Sequence, residues 1–186
     1  MVIVGDNGVG KTTLIKTILG DLVPKSGKIN LSKDIKIGYV PQFRNVSNDY
    51  PLSIADFVAL NLTKTWHPWL NKDEKQKLRK ILISTNLLKI KDQSLGRSSG
   101  GEKQRAYLAQ ALIKSPNLLI LDESTASLDN QAKYDLLDLV KFLQKNGLSV
   151  IFITHDWNLA KHYGKHFLKL KSNKVEFGRI EDLSVY

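Results

Sequence analysis

Gly5-Asp6-Asn7-Gly8-Val9-Gly10-Lys11-Thr12-Thr13 fits the pattern G-x-x-x-x-G-K-[ST] at every position. The chemistry this suits is anion binding. Its glycines let the backbone curl until successive N–H groups point inward, and a helix starting behind the loop adds the positive end of its dipole. Lys11 can then reach the terminal phosphates of a nucleoside triphosphate, and the Thr12 hydroxyl can ligate Mg²⁺. Alone, the loop indicates a nucleoside triphosphatase and nothing finer.

Three further positions could complete such a site. Leu118–Leu121 is an apolar run ending in Asp122 and Glu123. A strand beside the phosphate loop would set Asp122 next to the metal's shell and Glu123 where it can orient or deprotonate a water. His155 follows the run Val150–Ile153 and can bond a γ-phosphate or position Glu123 and the water. Gln42 follows Ile37–Val40 and Pro41, within reach of the same Mg²⁺ shell. Each has a blander reading, as solvated carboxylates, a surface histidine or an ordinary glutamine. The weight comes from the set.

These residues need elements to carry them. Val2–Val4 reads as a buried parallel strand, and Leu14, Ile15, Ile18 and Leu19 give a helix over about 12–19 that Gly20 stops. A turn at Pro24–Gly27 precedes strands near Lys28–Leu31 and Ile35–Val40. From 43 to 114 the pattern becomes helical. Ser53 caps a helix carrying Ile54, Val58 and Leu62, Asn71 caps one facing Leu78, Ile81, Leu82 and Thr85 inward, and a third runs through Leu108, Ala109 and Leu112. The α/β pattern then returns with the strands 118–121 and 150–153. Between them a helix over Asn130–Lys145 sets Tyr134, Leu137 and Leu143 on one face, and Gly147 ends it. Phe167–Leu170 and Lys174–Phe177 make a hairpin through Ser172-Asn173.

Composition narrows the class. The chain has 186 residues, 42% hydrophobic and 25% charged, as in a folded globular protein. Without cysteine there is no disulfide framework, thiol nucleophile or Cys-ligated metal. No apolar run is long enough to span a bilayer, and Met1–Gly5 lack the basic region of a secretory signal, so a cytoplasmic location is expected. The formal charge of +10 is spread through the chain without interleaved aromatics. That is a poor nucleic-acid platform and a surface compatible with an anionic membrane face.

Ser98-Ser99-Gly100-Gly101-Glu102-Lys103-Gln104-Arg105 lies just upstream of the acidic strand, and here the chain resembles the ATP-binding subunits of ABC transporters. Tyr39-Val40-Pro41-Gln42 is similar to that family's Q-loop, Ala126-Ser127-Leu128-Asp129 to its D-loop, and Thr154-His155 to its switch histidine, all in the family's order. The resemblance implies an α/β fold of the P-loop NTPase type, a mainly parallel sheet flanked by helices. The core would comprise 1–42 and 115–186, with 43–114 as an inserted helical signature subdomain of one ABC ATPase domain. It also implies ATP and Mg²⁺ as cofactors. Gly5 to Thr13 with Ser99, Gly100 and Gly101 would bind nucleotide. Glu123, His155 and Gln42 would act in hydrolysis, and Thr12, Gln42 and Asp122 would hold the metal.

Ser99–Gly101 would serve the nucleotide of a second ATPase subunit, most simply in a homodimer. A transmembrane permease would dock near Gln42–Asp56, with Phe43, Trp66 and Trp69 as apolar contacts. A substrate-binding protein would act indirectly, no nucleic acid partner is expected, and the subunit would sit on the inner face of the cell membrane. Two departures stand out. Ser98 replaces the family's usual leucine and Ser124 the common proline after Glu123. Four residues precede Gly5, so the family's N-terminal antiparallel strands and their adenine-stacking aromatic are expected to be largely missing. The segment 48–58 resembles ATPases of zinc and manganese uptake. His162 and His166, four apart on one predicted helix, suit a metal or stand there incidentally. Two alternatives stay open: a soluble ABC-type ATPase in translation or DNA repair, and a truncated nucleotide-binding fragment without activity.

Overall fold

A computed structural model describes residues 1–42, 47–62, 69–172 and 174–184. Among these described residues, six strands form one sheet in the order β2-β3-β4-β1-β5-β6. They are β1 (Val2–Val4), β2 (Ile37–Val40), β3 (Leu118–Asp122), β4 (Ser149–Ile153), β5 (His166–Lys171) and β6 (Lys174–Arg179). All neighbours pair in parallel except the β5–β6 hairpin. Parallel pairing needs both faces covered, which explains the unbroken β-branched and leucine runs.

The two faces are covered unequally. One packs Val2, Val4, Leu119, Leu121 and Phe152 against α4 (Gly100–Leu112), α5 (Asn130–Lys145) and α6 (Trp157–Tyr163). On the other, Ile3, Ile120 and Ile153 meet Ile15 of α1 (Lys11–Leu19). A separate cluster of Ile54, Phe57, Val58, Leu82, Leu87 and Leu95 joins α2 (Ile54–Ala59) and α3 (Lys72–Ser84) to α4. α4 serves both units: Leu108 and Leu112 turn to the sheet while Ala106 and Ala109 turn to this cluster.

The register sets up the site. Val40 pairs with Leu121, Asp122 with Ile153, and Ile3 with Ile153. The carboxyl ends of β1, β2, β3 and β4 therefore reach one edge together, the edge where open α/β sheets bind ligands. Among the described residues no helix is long and apolar enough to cross a membrane.

Four expectations need correction. Residues 28–31 form no strand: Ile29 and Leu31 lie 40% and 44% exposed, and apolar alternation without a pairing partner does not hold an extended ladder. β4, not β3, is the strand on that side of β1, so Asp122 is one strand further out than a position beside the loop. Tyr134 is 41% exposed, because the buried stripe of α5 is Leu136, Leu137 and Val140. His162 and His166 do not share a helix, since α6 stops at Gly164 and His166 opens β5. Each ring has an aromatic neighbour instead, His162 against Tyr163 and His166 stacked on Phe177. Among the described residues no cluster of three or more His, Asp or Glu forms a metal site.

Candidate functional site

The loop between β1 and α1 bends through left-handed glycines, Gly8 at φ 83° and Gly10 at φ 102°. Space around both is open: a Cβ at either would meet nothing within 4 Å. Gly5 is different. A Cβ there would stand 2.5 Å from the Leu170 carbonyl oxygen, so only glycine lets the loop leave β1 against β5. Gly10 is the N-cap of α1 and offers no side-chain cap, which leaves the helix's first N–H groups available to an anion. A cleft of about 380 Å³ opens here, lined by Asn7, Gly8, Gly10, Lys11, Thr12, Thr13, Gln42 and Glu123.

Lys11 is only 6% exposed and donates to the carbonyls of Gly5 and Asp6, both at 2.9 Å. Its Nζ also stands 3.5 Å from Glu123 Oε1. Gln42 Nε2 donates to Glu123 Oε2 at 3.2 Å, and His155 Nδ1 is 3.9 Å from Oε1, beyond hydrogen-bond length. Residues from three other chain segments thus converge on the Glu123 carboxylate. Glu123 holds a left-handed backbone at φ 44°, pinned by its N–H to the Ile153 carbonyl and its own carbonyl to the Ala126 N–H. A strained non-glycine residue held this firmly is a common property of functional sites.

Asp122 lies behind this group at 3% exposure and accepts from the Tyr39 hydroxyl at 3.1 Å. Burial pushes its carboxyl above the ordinary value. The Tyr39 hydrogen bond opposes that, the Glu123 charge adds to it, and the Lys11 ammonium pulls it down. A carboxylate desolvated in this way gains from a cation, so the residues present fit a divalent ion bound near Thr12, Gln42 and Asp122.

Ser99, Gly100 and Gly101 sit at the other end of the insert. Ser99 Oγ accepts from Glu102 N–H at 3.3 Å and Glu102 Oε2 accepts from Ser99 N–H at 2.7 Å, a capping box. Ser99 and Gly100 are exposed and Gly101 half-buried, so this helix start faces solvent. Asp129 caps α5 by accepting from Ala132 N–H, and Leu128 packs near Gly100. Within this chain, Ser99–Gly101 makes no contact with the Lys11–Glu123 group among the hydrogen bonds and ion pairs of the described residues.

The chemistry available is therefore phosphate binding at α1, with an acid–base group at Glu123. Sequence reasoning did not single out Tyr39, although its alternation with Val40 on β2 could have shown that its side chain lies on the opposite, α1-covered face of the sheet. It also missed the hydrogen bonds of Ser98, for which the local sequence carries no signal. Of the apolar contacts expected for a permease, Phe43 and Trp66 lie outside the described residues, and Trp69 is 83% exposed.

The sequence model of a family described as ABC transporter matches residues 1–126. The zinc import ATP-binding protein ZnuC of Vibrio parahaemolyticus is 38% identical over 159 residues, covering 85% of this chain and 57% of that protein. ZnuC 2 of Aliivibrio fischeri is 34% identical over 159 residues, with 85% and 62% covered. This chain therefore spans about three fifths of the length of these curated relatives. A solved structure described as an inward-facing conformation of a metal-chelate type ABC transporter matches with a TM-score of 0.90 and 28% identity, covering 99% of this chain and 74% of that one.

Proposed function

The chain belongs to the ABC transporter family, and from that premise we propose that it binds and hydrolyses ATP to drive a transporter importing zinc or manganese ions. The observation that carries the reading is that one chain has two open helix starts: α1 beside Lys11 and Glu123, and α4 exposed at Ser99 and Gly100. Two anion cradles on separate lobes suit a nucleotide shared head to tail between two copies. The metal cargo is supported by the names of the zinc import relatives.

Lys11 leaves the Gly5 and Asp6 carbonyls to meet β- and γ-phosphate oxygens, exchanging neutral acceptors for charged ones. Glu123, released from Lys11, takes a proton from an attacking water, while Gln42 and His155 steady its carboxylate. Mg²⁺, held by Thr12, Gln42 and Asp122, would neutralise charge on the phosphate oxygens. Gly100 and Gly101 offer N–H groups, and Ser99 its hydroxyl proton, to the γ-phosphate held by a second copy, so closure favours ATP over ADP. A permease would take the work of closing and opening, with the subunit peripheral on the inner membrane face.

The test is ATP turnover by the purified chain together with the association state of Glu123→Gln. Retained ATP binding, lost turnover and an ATP-dependent dimer support the reading. Unchanged turnover in Glu123→Gln removes the acid–base role, and copurification with ribosomes or DNA rather than a multi-spanning membrane protein removes the transport role.

A further inference from the structure

The segment leading into Ser99 is fastened to the segment after Gln42. Gln93 and Lys91 accept at their carbonyls from the N–H groups of Ile54 (3.0 Å) and Ala55 (2.9 Å), which open α2. Leu95 N–H donates to the Leu52 carbonyl at 2.9 Å, and Ser94 Oγ donates to the Tyr50 carbonyl at 3.0 Å. From this fixed base the Gln93 amide donates to Ser98 Oγ at 3.2 Å, and that hydroxyl donates onward to the Ser94 carbonyl at 3.1 Å. Ser98 is 6% exposed and immediately precedes Ser99, the N-cap of α4.

We propose that Gln93 is a positioning residue for the Ser99–Gly101 turn and acts through the Ser98 hydroxyl. The proposal rests on reading that turn as the cradle for a second copy's nucleotide. Ser98, where the resemblance gives leucine as the usual residue, is half of a polar pair whose other half is Gln93. Removing Gln93 leaves the nearly buried Ser98 hydroxyl without its donor, removing Ser98 strands the half-buried Gln93 amide, and replacing both by apolar side chains removes the conflict. The pair must therefore be non-additive.

The experiment measures ATP-induced dimerisation in the Glu123→Gln chain by sedimentation. ADP affinity of the monomer, which reports the Lys11 loop alone, is measured beside it. Gln93→Leu and Ser98→Leu are each expected to weaken the dimer by about tenfold while leaving ADP affinity within about twofold. Gln93→Leu/Ser98→Leu recovers most of that loss. Gln93→Ala, Ser98→Ala and their combination give the same ordering if leucine does not fit, with a smaller recovery.

Additive losses overturn the proposal, and so does an unchanged dimer in the single variants. An equal fall in ADP affinity, marking general loosening, overturns it as well. No dimer in Glu123→Gln with Gln93 and Ser98 intact defeats the shared-nucleotide reading itself, a failure visible before any variant of the pair is made.

Discussion

At the α1 end, Lys11 folds back onto two loop carbonyls and toward Glu123, whereas at the α4 end Ser99 and Glu102 only exchange bonds with each other's backbone. The first end stores its charge among buried partners, and a ligand must displace them. The second is half-solvated: its Ser99 and Glu102 N–H groups are held within the capping box, which leaves the Gly100 and Gly101 N–H groups ready for a ligand. The cradle with the lysine should therefore set affinity, while the capped helix start should respond mainly to whether a partner is present. Substitutions at the two ends should separate along that line.

The largest separation is expected from Glu123→Gln. Turnover should fall by about 10²–10⁴-fold with ATP affinity kept, measured by steady-state hydrolysis and nucleotide titration. Lys11→Met comes next. Losing two charge-assisted phosphate contacts should weaken ATP binding by about 100-fold. Equal weakening by Ser99→Ala in the monomer would break the contrast between the ends. Glu102→Ala removes one half of the capping box and should cost about 1 kcal/mol, read as a lower melting temperature with monomer ADP affinity unchanged.

The smallest effect sharpens the comparison through pH. Burial raises the Asp122 carboxyl above its ordinary 3.8, with the Tyr39 hydrogen bond opposing. A raised folded value means that Asp122 stabilises most below pH 3.8, and that this contribution is lost as pH rises through the folded value. Asp122→Asn removes the buried charge and should raise the melting temperature by a few degrees, about 1 kcal/mol, at pH 7. The difference should vanish toward pH 3.8, and a melting difference independent of pH would detach it from that carboxyl.

Much of this was legible because the residues doing chemistry sit where strands end. A run of apolar β-formers followed by Gly5, by Asp122-Glu123 or by Thr154-His155 announces both the element and its exit. Two caps were equally readable: Ser53 and Asn71 each precede their helix and accept from the third helical N–H, as Ser99, not read as a cap, also does. What was not legible depends on neighbours distant in sequence. Ile29 and Leu31 alternate like a strand, but pairing decides strands. Tyr134 has helical spacing with Leu137, yet the rings of His162 and Tyr163 occupy that side of α5. The insertion of β4 between β1 and β3 is a property of the whole sheet. The Gln93–Ser98 pair is local, but it exists only because the turn at 95–97 brings the two together.

The position of β1 has a consequence for synthesis. Both its sheet neighbours, β4 and β5, come from residues 149–171, far downstream of Val2–Val4. At about 5–20 residues per second, Val2–Val4 must wait roughly seven to thirty seconds on the ribosome before either flank exists. The apolar run is meanwhile without either of its sheet partners. The phosphate loop cannot take its shape until that run is captured, so the chain gains its grip on nucleotide only at the close of folding.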